Sequence, residues 1–444
     1  MEFVWDVRRL MSRTRTASAL RADPAAVELL PLQMVQRDAI ATGLAAYRAE
    51  GRERSRRLIA YAQLLCEIVR RTGEPETLAK AASAAERAGQ EAEGELLAAA
   101  RLEQAAAARL GAELFGDDEA ARAAAELLDA ADAAAGFRPV QAGRRLAMRA
   151  AAAAVEALRA ADLDQAMAAA AALDAAVERL DEDARSDERA KAEAAAARCE
   201  RADFLIGLGV RLKDRTLIER AEEDLTQLAS RLDPHYLPLT WTRAETLRGA
   251  ALARLGELSG DANALAEAVR VLAKAAENAD FDYSPLDRGR TSHALALALA
   301  ALAEATEDPG FYDHAMAAFD QALAALDGQP SLAIRPLIVH DRAACLASAA
   351  ELTSDAAALA RAELSFRNEI AACDAANDPV AWALAQLALA RVYVAEARLL
   401  GGEPPPEHAP MALTEAIDVF LERGCKSLAE TAQDLLEQLC AAGR

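Results

Sequence analysis

Between residues 191 and 400 the pattern of apolar, small and polar positions repeats every 47 residues without a gap. Asp214, Asp261, Asp308 and Asp355 hold one register, and Asp233, Asp280, Asp327 and Asp374 hold a second. Between the paired aspartates stands Ala221, Ala268, Ala315 or Ala362, with Leu225, Leu272, Phe319 or Phe366 one helical turn later. Gly209, Gly256, Ala303 and Ala350 lie twelve positions ahead of those alanines. Pro238, Pro285 and Pro379 share a further register in which Leu332 replaces the absent proline, and Trp241 and Trp382 stand three periods apart. A long segment of helical periodicity precedes each first aspartate and a shorter one lies between the two, so each unit is predicted to be a helical hairpin. Aspartate suits the ends, because its short carboxylate accepts the free N–H groups of a helix start or closes an Asx turn. Proline suits the first helical turn, where a missing N–H costs nothing. The small residue and the alanine let two backbones approach, and the Leu or Phe fills the seam. Both tryptophans are expected on that seam.

The pattern weakens on either side. A fifth regular hairpin runs to 424 after an insertion at Gly402 to His408, with Ala416 and Phe420 in the expected places, and Pro404, Pro405 and Pro406 put the insertion in an exposed turn. Residues 425–444 carry Leu428, Leu435, Leu436 and Leu439 and read as a capping helix, because a terminal repeat has no neighbour to cover it. Upstream, Asp117 and Asp164 keep the spacing, and 76–91 and 118–135 read as second helices of degenerate hairpins within 38–190. Residues 1–37 are an atypical N-terminal segment. Phe3, Val4, Trp5 and Val7 precede an Arg-rich stretch there, from Arg8 to Arg21, and this part is expected to be loosely held or to dock apart from the array.

Leu208-Gly209 and Leu255-Gly256, with Ala315-x3-Phe319 and Ala362-x3-Phe366, resemble the L-G pair and the A-x3-F motif of the tetratricopeptide repeat. Leu205, Leu252, Leu299 and Leu346 resemble that family's first bulky position. The chain departs from the family in its 47-residue period instead of 34, in Asp233-type residues where a closing proline is usual, in Ser259, Thr306 and Thr353 where Tyr is favoured, and in Glu369 in place of Ala. It is similar to a long-helix variant. The resemblance implies an all-α, right-handed α-solenoid of about eight helical hairpins with a C-terminal capping helix, each unit burying its seam against adjacent units.

Composition adds constraints on function. Hydrophobic residues make up 53% of the 444 residues and aromatics only 4%, so Ala and Leu build thin, closely packed helices. A net charge of -21 argues against nucleic acid as a partner, which calls for a concentrated basic face. Six scattered cysteines form no CxxC pair, and neither a secretory leader nor an uncharged span of about 18 residues is present, so a cytoplasmic protein without a transmembrane segment is expected. No phosphate-binding, dinucleotide, nucleophile-elbow or zincin motif occurs, and no catalytic residue, metal site or cofactor is indicated. His235, His293, His314, His340 and His408 read as surface or turn residues. Asp181, Glu182, Asp183, Asp187 and Glu188 read as a solvated linker. The stems of Arg201, Arg248 and Arg342 are expected to pack on the seam side.

The candidate binding residues are Glu257, Glu304 and Glu351, one per repeat and each just after the small residue of the first helix. They sit near helix C-termini, where the macrodipole disfavours an anion, and on the side that the resemblance makes concave. Arg243 and Arg290 fall on the same face. This pattern suits a non-catalytic scaffold holding a protein or peptide segment with basic residues. The alternative is a regulator or sensor whose array encloses a small ligand, and homo-oligomerisation through the N-terminal region is compatible with either.

Overall fold

The computed structural model describes residues 24–442 apart from 133–138, 161, 186–187, 330, 374, 377–378, 400–405 and 423–425. The Phe3 to Arg21 segment, Asp187, Asp374, Pro404, Pro405 and Cys425 therefore lie outside the described residues. Among the described residues a short 3-10 helix, Pro24–Leu29, and α1 (Leu32–Tyr47) precede eight hairpins. These pair α2 (Gly51–Thr72) with α3 (Pro75–Glu91), α4 (Glu95–Phe115) with α5 (Asp118–Asp132), α6 (Pro139–Ala160) with α7 (Leu163–Ala184), and α8 (Glu188–Leu212) with α9 (Arg215–Arg231). Next come α10 (Pro238–Ser259) with α11 (Ala262–Asn278), α12 (Pro285–Thr306) with α13 (Pro309–Ala325), α14 (Ile334–Thr353) with α15 (Ala356–Ala372), and α16 (Pro379–Leu399) with α17 (Ala409–Glu422). Helix α18 (Lys426–Ala442) covers the last hairpin. No strand occurs among the described residues, and the fold is the expected all-α solenoid.

The aspartate registers act as punctuation. Asp214, Asp261, Asp308 and Asp355 are the N-caps of α9, α11, α13 and α15, each accepting a backbone N–H two residues on at 2.9 Å. The N–H groups of Asp214, Asp261 and Asp355 reach back to Gly209, Gly256 and Ala350 at 2.8, 3.0 and 2.9 Å, so in these three units one residue closes the first helix and opens the second. Asp233 and Asp280 close Asx turns onto His235 and Asp282. Upstream the register slips, because Asp162 and not Asp164 caps α7. Between the caps, Ala221, Ala268, Ala315 and Ala362 and the partners Leu225, Leu272, Phe319 and Phe366 are all fully buried. A Cβ on Gly209 or Gly256 would come within 2.6 or 2.7 Å of Ile218 or Leu265, which is why the first helix carries small residues there. Trp241 is buried with Lys274 over its ring, whereas Trp382 is only half-buried.

One expectation fails. The units do not bury their seams only against adjacent units: a single core joins Leu64, Leu65, Val69, Leu110 and Leu114 of α2 and α4 to Leu286, Leu299, Phe319 and Ile338 of α12, α13 and α14. Gly73, at φ 71°, lies under Leu332, and the N–H of Ala333 donates to Leu114 at 2.8 Å. Residues 24–32 clasp the joint. The array has curved far enough for its first two hairpins to meet its sixth and seventh, with residues 24–32 reaching the fifth, which encloses a cavity. The last hairpins and α18 form a separate core beyond that ring. Within it α16 is long and apolar enough to span a membrane by composition, with 56% of the qualifying window buried between its neighbours.

Candidate ligand-binding lumen

The closed array surrounds a cavity of about 1920 Å³, walled mainly by the first helices α2, α4, α6, α8, α10 and α12 together with α5. Alanines such as Ala112, Ala153, Ala196 and Ala250 form much of its surface, so the charged side chains among them stand proud of a smooth wall. Thirteen carboxylates and eight arginines line it, an acidic excess. Several ion pairs join helices far apart in sequence: Arg290 of α12 meets Glu113 of α4 at 3.1 Å, and Arg109 of α4 meets Glu200 of α8. Arg144 of α6 meets Glu103 of α4 at 2.7 Å and Glu193 of α8 at 3.6 Å, while Gln63 also donates to Glu103. Arg243 of α10 forks onto both oxygens of Asp287 at the start of α12, at 2.9 and 2.8 Å.

These pairings set the protonation states. Burial opposes ionisation of Glu67, yet Arg71, Arg70 and Arg243 override it and hold the carboxyl at about 2. Burial likewise works against Glu113, and Arg290 and Arg109 still bring it below the ordinary value. Asp203 behaves oppositely. Its side chain is open to the cavity and makes no ion pair, and desolvation by the surrounding helices, with Glu113 and Glu200 nearby, raises its pKa against the opposing pull of Arg290. Cys66 and Cys199 also line the cavity, and burial pushes both thiols up to about 12, which makes them inert.

Of the sequence candidates, Glu257, Arg243 and Arg290 line this cavity, with Glu257 paired to Arg254 at 2.7 Å. Glu304 and Glu351 are exposed, Glu304 accepts from Ser348, and neither belongs to the cavity wall. Repeat equivalence therefore puts these glutamates at like places on their helices, but the ring closes around only the first of them.

Three other readings change. His293 is buried on α12 and meets Asp341 at 2.7 Å, and His340, one period later, meets Glu369 at 3.3 Å. The Glu that departs from the tetratricopeptide pattern thus receives a histidine. Asp181 to Asp183 belong to α7 and not to a linker, and Asp181 pairs with Arg198. Arg201 bridges Asp174 of α7 and Asp224 of α9, Arg248 meets Glu222 of α9 and Glu245 of its own helix, and Arg342 meets Asp320 of α13, so each arginine ties its first helix by charge to the second helix before it, and Arg201 to the one after as well. Sequence reasoning missed most of the cavity's N-terminal wall. The signal was present as charges inside apolar runs, Glu67 in Leu64-Leu65-Cys66-Glu67-Ile68 and Glu103 in Leu102-Glu103-Gln104-Ala105.

Among the described residues no group of three or more His, Cys, Asp or Glu side chains is placed to hold a metal ion. No family model and no curated protein matches the chain. Among solved structures it is similar to a Rap protein complexed with competence and sporulation factor, at 12% identity and TM-score 0.45, over 87% of this chain and 98% of that one. It is similar to aspartyl phosphate phosphatase F from Bacillus subtilis at 12% identity and TM-score 0.36, over 89% and 97%. A circular tandem repeat protein with novel repeat topology gives 16% identity and TM-score 0.26, over 99% and 94%. Its own hairpins, caps and 47-residue register make the architecture an all-α array of helical repeats.

Proposed function

We propose that this chain is a non-catalytic cytoplasmic scaffold that binds an extended segment of a partner protein inside the lumen, with preference for Lys or Arg side chains. The acidic excess of the wall carries the reading, together with Asp203, a carboxylate open to the cavity that makes no ion pair and on which the attraction of Arg290 is outweighed by burial and by Glu113 and Glu200. The volume supports a peptide, since about 1920 Å³ exceeds the roughly 300–1,000 Å³ of pockets for small ligands. Glu257 adds a further acceptor, and Arg243 and Arg290 hold neighbouring carboxylates in place. A basic side chain next to Asp203 would favour its ionised form and oppose the upward shift that burial imposes.

Fluorescence polarisation with labelled extended peptides of matched length, one set rich in Lys and Arg and one in Asp and Glu, tests this. The basic set is expected to bind with an affinity that falls with salt, and Asp203→Asn is expected to weaken it. Equal binding of both sets, or no effect of Asp203→Asn, overturns the reading. The second reading, a sensor enclosing a small ligand, draws support from the closure of the ring by residues 24–32. It requires ligand-dependent thermal stabilisation without peptide binding.

A further inference from the structure

Residues 24–32 belong to no hairpin, yet they sit in a groove between α2 and α10 through contacts of the kind that hold a bound peptide. The Glu28 carboxylate accepts the N–H groups of Leu239 and Thr240 at 3.0 and 2.9 Å, and the Thr240 hydroxyl as well, at the open N-terminus of α10. The fully buried guanidinium of Arg71 donates to the carbonyls of Leu30 and Val27 at 2.8 and 2.9 Å, while Glu67 holds its third side at 2.6 Å. The N–H of Leu32 donates to Asp282 at 2.9 Å, and the Leu30 side chain is buried in the shared core. Every one of these receptor groups comes from elsewhere in the array, and the segment supplies only one carboxylate, two carbonyls, one N–H and a few apolar side chains.

We propose that this groove is a peptide-recognition site filled in cis by the chain's own strap, and that a partner segment of the order apolar, Glu, any residue, Leu replaces the strap. The strap lends itself to exchange. It is two turns of 3-10 helix lying outside the 47-residue register, so its release removes no hairpin from the array. Release would also unfasten the clasp between the first hairpin and the fifth and sixth, opening the lumen that Val27 and Glu28 help to wall. The groove selects an acidic motif and the lumen a basic one, so the two readings fail or stand separately.

The test uses the full-length chain carrying Glu28→Ala and a fluorescein-labelled peptide of residues 24–35, with far-UV circular dichroism confirming that helicity is kept. The variant is expected to bind the peptide at least about tenfold more tightly than the parent chain, whose groove is filled. A peptide with its own Glu28→Ala is expected to bind the variant about tenfold more weakly than the native peptide. Failure of the folded variant to bind, or equal binding by parent and variant, overturns the proposal. Should Glu28→Ala not fold, Leu30→Ala takes its place in the same assay. If both variants lose cooperative folding, the strap is a fixed part of the core and the proposal falls.

Discussion

Glu28 accepts the backbone N–H of Thr240 at 2.9 Å across 212 positions of the chain, so the helix opening the fifth hairpin takes its cap from before the first. A neutral acceptor would serve the two amide groups less well, and no acceptor would leave them with a water-poor environment. Glu28→Ala is expected to lower stability by about 1–3 kcal/mol, read from the urea midpoint, with Glu28→Gln intermediate. An unchanged midpoint for the alanine variant would mean that the clasp contributes nothing to holding the ring.

A second effect concerns the turns between paired helices. Lys213, Gly260, Glu307 and Ser354 are spaced 47 apart, and all four adopt the left-handed conformation, at φ 53°, 65°, 54° and 55°. Only one is glycine. The other three carry a Cβ that crowds the following carbonyl, at a cost of about 1–2 kcal/mol each before compensation. Lys213→Gly, Glu307→Gly and Ser354→Gly are each expected to raise stability, by up to about 1 kcal/mol, while Gly260→Ala lowers it. Thermal melts of the four single variants decide the matter, and a lower melting temperature for all three glycine variants would refute the strain account.

Glycines inside the helices divide by what surrounds them. A Cβ on Gly249 would sit 2.4 Å from Leu272, itself fully buried, whereas one on Gly207 would meet only Leu158 at 3.9 Å. Gly249→Ala is therefore expected to cost about 1–3 kcal/mol by overpacking. Gly207→Ala is expected to stabilise by about 0.5–1 kcal/mol through helix propensity alone. Equal effects of the two substitutions in chemical denaturation would contradict the packing between α10 and α11.

The hairpins could be read from the chain because caps, small residues and seam residues recur at fixed spacing, and each depends on neighbours within its own unit. Asp261, Ala268 and Leu272 needed only local geometry to be placed. The ring closure could not be read this way. Arg71 against the carbonyl of Leu30, or Glu113 against Arg290, depends on the curvature summed over several hairpins, and no local pattern encodes that sum. For the same reason the glutamate row was found as a row, but its division between cavity and outer surface was not.

Two carboxylates with opposite shifts give the acid response testable contributions of opposite sign. Glu67 is held at about 2 against an ordinary 4.5, so its contribution to stability is complete above 4.5 and is lost as pH falls through about 2. A shift of that size corresponds to roughly 3 kcal/mol. Asp203 is raised, so its charge destabilises the folded chain once pH rises through its folded pKa, and the protonated form is the favourable one. Glu67→Gln is expected to lower the urea midpoint at pH 7 and to converge on the parent as pH falls towards 2. Asp203→Asn is expected to raise the midpoint at pH 7, with that advantage gone in acid. The opposite order at pH 7 would contradict both assignments.

The glutamate row offers the sharpest separation of the lumen from the rest of the array. Glu257 lines the cavity beside Arg254, while Glu304 is turned to Ser348 and Glu351 is exposed outside the cavity wall. All three sit near helix C-termini, where lysine is better tolerated than glutamate, so charge reversal at any of them is expected to leave helicity unchanged. Their effects on binding should differ. Glu257→Lys turns a pair with Arg254 into a repulsion inside the wall and is expected to weaken a basic peptide most at low salt and to flatten the salt dependence. Glu304→Lys and Glu351→Lys are expected to change affinity only through the net charge, an effect that disappears at physiological ionic strength. Polarisation titrations of the three single variants against the same Lys- and Arg-rich peptide measure this directly. If Glu304→Lys or Glu351→Lys weakened binding as much as Glu257→Lys at physiological salt, the binding surface would run along the whole row and not inside the ring.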